Sequence, residues 1–262
     1  MKTFSTLLAA LALPLCAMAV PAAQTAPSGA GAVFLHTLRG KPQVQRNGES
    51  LADMAGKTVP AEGLGIVCKK NQYVSLKFSN SVVMACSGNS EISVDEFRQD
   101  IPEKFDNEGD RENSVSALVV SVKKGTFEFV CRELRAASRF IIKTRAGDFD
   151  VRAKMCEIKD NGSSITFRLL DGMAHFKSTN GKSDFLRSKQ KATVRNSAMT
   201  SNFPLEIEQM GIIEENELFA KLSACRQIQS SIVFYRQDSQ ILAKRIIFRE
   251  FMLNPRPYDI SK

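Results

Sequence analysis

The chain has 262 residues, 43% of them hydrophobic, and carries 36 Lys and Arg against 28 Asp and Glu, for a formal net charge of +8. That length and apolar content support one large or two small domains with real cores and exclude a disordered or fibrous chain. The basic balance suits an envelope surface, an anionic glycan or a partner's acidic face, and no stacking-aromatic motif accompanies it to point to nucleic acid.

Lys2, an apolar stretch over 7–15 and the small-x-small run Ala17-Met18-Ala19 form a secretory signal over residues 1–19. The apolar stretch is too short for a bilayer span of about 20 residues, so secretion to the periplasm or beyond is the expectation. A lipoprotein alternative would acylate Cys16, although Leu15 stands where a small residue is expected and Pro14 lies just before it. Residues 20–31, rich in Ala, Pro, Gly and Ser, read as a disordered lead-in.

Alternation at period 2 then dominates. Val74, Leu76 and Phe78 alternate with Tyr73, Ser75 and Lys77; Phe149 and Val151 with Asp148, Asp150 and Arg152; Ile165, Phe167 and Leu169 with Ser164, Thr166 and Arg168. These are half-buried strands. Asn47-Gly48, Ser87-Gly88-Asn89, Ala146-Gly147, Asp160-Asn161-Gly162 and Asn180-Gly181 punctuate them, since Asn-Gly pairs supply the positive φ that tight hairpins need. The expected fold is mainly β, a sandwich or solenoid-like stack of antiparallel units over 32–97 and 114–200. Gly40, Gly125 and Gly172 each open a similar short strand, a weak internal repeat that supports stacked units.

Between the units, residues 98–113 hold Asp100, Glu103, Asp106, Glu108, Asp110 and Glu112. Their order does not reproduce a calcium loop, and interleaved Lys104 and Arg111 fit a solvated connector; no metal and no cofactor is expected. Cys68, Cys86, Cys131, Cys156 and Cys225 follow the leader. In an oxidising compartment they read as disulfides, Cys68 with Cys86 and Cys131 with Cys156. Cys225 is then left over, either intermolecular or buried as a small apolar side chain.

Residues 38–97 resemble the FecR domain. Its pattern runs Gly-x-Val-x-Val, a turn, a glycine-containing run into an apolar strand, then a hairpin ending Asn-Ser-x-Ile/Leu-x-Val, and Gly40, Val44, Gly56, Val59, Val74, Leu76, Phe78, Asn89, Ser90, Ile92 and Val94 fall into it. Residues 115–196 are similar to the second half of longer FecR-type proteins through Ser138, Phe140, Ile142, Thr144, Gly147, Val151, Arg152, Gly172 and Ala174. Ala153-Lys154 replaces the usual Gly-Thr, and Val67-Cys68 stands where a Thr is often found. FecR relays receptor occupancy to a sigma factor through a cytoplasmic segment and a membrane helix. The chain shows neither, so the resemblance implies an accessory module whose sensing passes through another protein.

Enzymatic activity is not expected. The two histidines, His36 and His175, sit in alternating strands, and neither a nucleophile elbow nor a metal pair is present; Asp148 and Asp150 share one strand face, which signals exposure more than catalysis. Residues 201–262 form a C-terminal α/β extension. Residues 204–229 carry apolar positions at helical spacing, with Glu214, Glu215 and Glu217 opening a second helix. Over 232–252 a hairpin turning at Asp238-Ser239 is favoured over an amphipathic helix, and the helical alternative would allow membrane-surface docking. Candidate basic contacts are Lys69, Lys70, Lys244, Arg245 and Arg249, beside the reading of Lys69-Lys70, Lys123-Lys124 and Lys143 as ordinary solvent-facing positions. The leading expectation is a binding or sensory accessory module for an envelope protein or glycan; the alternatives are an adhesive scaffold and an envelope hydrolase.

Overall fold

The computed structural model describes residues 27, 29–195 and 205–246. The expected leader over 1–19, its Cys16 alternative, and Phe248, Arg249, Phe251, Met252, Pro255 and Pro257 lie outside the described residues. In chain order the strands are β1 (Gly29–Ala30), β2 (Ala32–Arg39), β3 (Gln43–Arg46), β4 (Glu49–Ser50), β5 (Thr58–Pro60), β6 (Leu64–Cys68), β7 (Tyr73–Phe78), β8 (Val83–Gln99) and β9 (Ser116–Val130). There follow β10 (Arg139–Thr144), β11 (Gly147–Asp160), β12 (Ser164–Ser178), β13 (Ser183–Arg187), β14 (Gln190–Arg195) and β15 (Leu205–Gln209). Helix α1 (Ile212–Ser231) and a hairpin of β16 (Ile232–Gln237) and β17 (Gln240–Arg245) follow. The protein is thus mainly β, a large sheet network with a small helix-plus-hairpin extension.

Strands β8, β9, β11 and β12 are long enough to serve two layers, and each changes partners at a bend. Strand β8 pairs with β7 up to Ser87 and with β6 from Ser90. Strand β11 leaves β10 after Asp150 and joins β9 at Met155, while β12 passes from β14 to β13 around Gly172. Two glycines make the bends close. At Gly125, with φ +103°, an added Cβ would stand 2.4 Å from Ser90 Cα, and at Gly172, with φ +111°, 2.5 Å from Ala153 Cα. Only glycine supplies both the positive φ and the space.

The first layer therefore runs β5-β2-β7, the first part of β8, the second parts of β9 and β11, the first part of β12, then β14-β15. The second runs β4-β3-β6, the remaining parts of β8 and β9, β10, and the remaining parts of β11 and β12, ending at β13. Pairing is antiparallel except between β9 and β10. Side chains at alternate positions meet between the layers. Phe78 packs edge-on to Phe97 at 5.4 Å, Phe129 to Phe140 at 5.3 Å, and Phe149 stacks on Phe167 at 4.5 Å. One apolar cluster extends from Val33 to Val194, so the two units expected over 32–97 and 114–200 share a single core.

Several local expectations are corrected. Ser87-Gly88-Asn89 is no hairpin turn but a bulge within β8, because the chain must bend there without reversing. The lead-in over 20–31 is already paired at its end, where Gly29 and Ala30 face Gln99 and Arg98. Residues 205–209 are a strand against β14, although their apolar spacing also fits a helix. The hairpin at the C-terminus turns at Asp238, with φ 54°, as favoured from its composition. Neither expected disulfide is formed: all five described cysteines are buried thiols. The Cys68 and Cys86 sulfurs meet across the β8 bulge at 3.6 Å, well beyond the about 2 Å of a disulfide bond. Cys156 faces Phe129 across the ladder, while the Cys131 amide donates to the Lys154 carbonyl past the β11 bulge, so that pair is out of step.

Candidate functional site

The outward face of the first layer is unusually apolar for a sheet surface. Ala32, Phe34, Val83, Ala85, Val130 and Met155 point away from the inner core and are buried, because α1 and the hairpin cover them in a second apolar cluster with Leu218, Leu222, Cys225, Ile228, Ile232 and Phe234. Helix α1 presents Leu218, Leu222, Cys225 and Ile228 at helical spacing and has Glu214 and Glu215 in its first turn, where the helix dipole favours negative charge. Its last turn carries no basic residue. Lys77 of β7 supplies that cation from outside: fully buried, its Nζ donates to the carbonyls of Gln229 and Ile232, both at 2.6 Å. Burial, with Arg132 nearby, pushes the Lys77 amine down to about 7.

More ionisable groups lie under the same cover. Glu157, buried on β11, receives Arg168 Nε at 2.9 Å and Nη2 at 2.5 Å, and Lys221 of α1 approaches its other oxygen at 3.5 Å. Arg168 also reaches Glu214 at 3.5 Å, and Lys191 joins Glu214 and Glu208 at 3.2 and 3.0 Å. Glu128, opposite Glu157 in the ladder, has its carboxyl raised to about 7 by burial and then by the Glu157 charge. The extension is thus held by apolar contact and by a chain of ion pairs across the sheet.

Residues 98–113 take part instead of standing in solvent as expected. Phe105 is buried against Phe234, and Asn107 accepts from the Phe234 amide at 2.9 Å while donating to its carbonyl at 2.9 Å, imitating a neighbouring strand. Glu112 is buried, accepting from the Arg135 amide at 2.7 Å and the Ser116 hydroxyl at 2.9 Å. Arg132 donates to the carbonyls of Asp106, at 2.7 Å, and Asn107, fixing the loop to the end of β9. Burial lowers the Arg132 guanidinium from its usual range.

Where this loop, the end of β9, the bulge of β11, α1 and β16 converge, they enclose a cleft of about 650 Å³. Val130, Met155 and Val233 contribute apolar surface, Glu108 and Asp110 lie in the loop wall, and Lys154 and Arg226 contribute exposed cations. Among the described residues neither Lys154 nor Arg226 has an ion-pair partner. Cys131 also lines the cleft, but burial and the nearby Cys156 push its thiol well up, which keeps the sulfur protonated and poorly nucleophilic.

The basic residues singled out from sequence do not meet there. Lys69 and Lys70 stand exposed on the β6–β7 turn, which Gln72 ties to the carbonyls of Gly40 and Lys41 at 2.8 and 3.0 Å. Lys244 lies over the Tyr235 ring at 6.0 Å, and Arg245 sits at the end of β17; Arg249 is outside the described residues. Lys154 and Arg226 were not singled out, and only the convergence of two distant segments reveals them. His36 bonds Ser75 at 3.0 Å and is half-buried. Among the described residues, no helix is long and apolar enough to cross a membrane.

No family model matches the chain, and no curated protein matches it. Two crystal structures of a "putative anti-sigma factor" from Parabacteroides distasonis ATCC 8503, at 1.65 and 2.50 Å resolution, are similar in shape. Each is 12% identical, covers 70% of this chain and 99% of its own, and has a TM-score of 0.41. A likeness at that level assigns neither function nor partner.

Proposed function

We propose that the chain is an envelope binding or sensory accessory module, not an enzyme, and that it holds a segment of a protein partner in the cleft between sandwich and extension. The observation that carries this reading is the lining. An apolar floor between an acidic wall and two unpaired cations complements an apolar peptide side chain flanked by charges of both signs, and pockets of this size and make-up are the usual binding sites of folded proteins. An occupant would touch the sandwich through Val130 and Met155 and the extension through Arg226 and Val233 together, so its presence would change how firmly the extension is held. That is the physical content of a sensory role: binding energy shared between two parts of one molecule. A thiol held protonated at Cys131 favours binding over nucleophilic chemistry.

The test is in-cell photocrosslinking from position 230, on the cleft rim, with Gln43 on the far edge of the second layer as control. One dominant envelope-protein adduct from position 230 is expected, lost in the double variant Lys154→Glu with Arg226→Glu and retained in Lys69→Glu with Lys70→Glu. An adduct indifferent to the cleft charges, or turnover of an envelope glycan by the purified protein, would refute the reading.

A further inference from the structure

Among the described residues nothing covers the outward face of the second layer, and one row across it differs from its surroundings. The ladder sets Ile141, Asp150, His175 and Phe185 directly opposite one another across β10, β11, β12 and β13. The His175 and Phe185 rings stack, with centroids 4.5 Å apart and planes 23° from parallel. Phe185 is 59% exposed, and Met173, in the next row, is 50% exposed. The Phe185 ring offers a flat apolar surface to water, bordered by the charged side chains of Arg152, Lys177 and Arg187. In the same row one carboxyl oxygen of Asp150, Oδ1, is buried and has no hydrogen-bond partner among the described residues. Oδ1 is enclosed by the protein, so the second carboxyl oxygen of this half-buried side chain is the acceptor that an incoming hydroxyl can reach.

We propose that this row is a carbohydrate-binding platform, separate from the protein-binding cleft. The apolar C–H face of a sugar ring lies on Phe185, backed by His175, and a hydroxyl of a neighbouring sugar donates to Asp150. Strand spacing fits the division of labour. Phe185 and Asp150 are two strands apart, about 9–10 Å, a separation that a disaccharide spans but a single ring does not. Arg152, Lys177 and Arg187 border the row as further hydrogen-bond donors, Arg152 being already oriented by the carbonyls of Arg135 and Ala136 at 2.9 and 3.4 Å. A protein hot spot would need a broader desolvated apolar patch than one ring and one thioether provide. Further along the same face, between β3, β6 and β8, a groove of about 400 Å³ is floored by Gly65. At Gly63, beside it, a Cβ would meet Asn47 Oδ1 at 2.1 Å. A longer glycan chain crossing the strands would run toward that groove.

The probes are chitotriose, cellotriose and maltotriose, tested by saturation-transfer NMR and isothermal titration on the intact protein. At least one should bind, with saturation concentrated on the C–H protons of one ring. Its affinity should fall about tenfold or more in Phe185→Ala and in Asp150→Asn, recover in Phe185→Tyr, and stay unchanged in Arg226→Glu. Phe185 is largely exposed, so these variants should keep the parent's thermal midpoint, which separates loss of binding from loss of fold. Failure of all three saccharides at millimolar concentration overturns the proposal, as does binding that survives Phe185→Ala. Loss of a protein crosslink on Phe185→Ala without any saccharide binding would overturn it in favour of a protein contact.

Discussion

The two outer faces of the sandwich are built from the same four long strands yet have opposite chemistry. Before the bend, β8 turns Val83 and Ala85 outward; beyond it, the same strand turns out Glu91, Ser93 and Asp95. The first face needs a cover and receives α1 and the hairpin. The second satisfies itself with ion pairs in water, Lys123 to Glu91 at 2.9 Å, Arg139 to Glu96 at 2.6 Å and Lys143 to Asp95 at 3.4 Å. Charge has a different meaning on each side. Under the cover, Lys77, Glu128 and Glu157 are desolvated and must be paired or neutral; on the open face, a charged residue contributes little to stability.

Substitutions on the two faces should separate them. The largest effect is expected from Glu157→Ala, which leaves Arg168 and Lys221 without their buried partner: about 3–5 kcal/mol in urea unfolding, against less than about 1 kcal/mol for Asp95→Ala on the open face. Equal losses would remove the distinction between the faces. Next comes Lys77→Met, which strands the Gln229 and Ile232 carbonyls and should lose about 2–3 kcal/mol at about pH 10.

The same lysine makes the contrast depend on pH. Its folded value of about 7 lies below the ordinary 10.5, so the unfolded chain binds the proton more readily between them, and stability falls as pH drops from 10.5 to about 7. Glu128 has the opposite sign. Its folded value of about 7 lies above the ordinary 4.5, so the folded chain binds more protons between them, and stability falls as pH rises through that window. Together they make attachment of the extension weakest near neutrality. Urea midpoints measured across pH should trace a shallow minimum there, with the alkaline limb flattened in Lys77→Met and the acid limb in Glu128→Gln. The smallest effect belongs to Phe185→Ser, within about 0.5 kcal/mol of the parent, since the ring is mostly in water.

Much of the β architecture was legible because alternation at period 2 records which side chains face a core. Val74, Leu76 and Phe78 were readable as inward, and Asn47-Gly48 as a two-residue hairpin, which it forms with φ values of 50° and 88°. What alternation does not record is whether the other side of a strand is wet. Lys77 alternates like any solvent-facing residue and is buried only because α1, more than a hundred residues later, lies across it. Ser87-Gly88-Asn89 has the composition of a turn, and only its pairing with two successive partners shows that the strand continues. Leu205 and Ile207 were read as helical from apolar spacing, but pairing with β14 selects the strand. Cys68 and Cys86 were rightly brought together, since the bulge sets them side by side, although no bond joins them. The cleft and the His175–Phe185 row were invisible for one reason: long-range packing forms the first and cross-strand register the second, and neither leaves a local motif.

The proposed role requires that α1 and the hairpin can loosen while the sandwich stays folded, so that an occupant touching both changes how firmly the extension is held. Native-state hydrogen exchange near neutral pH measures this. The amides of α1, β16 and β17 should open together, at a free energy clearly below that of β9 and β11, and Lys77→Met should change the first group while leaving the second group's ranking intact. Exchange of α1 only through global unfolding, at the same free energy as β9 and β11, would contradict the proposed role.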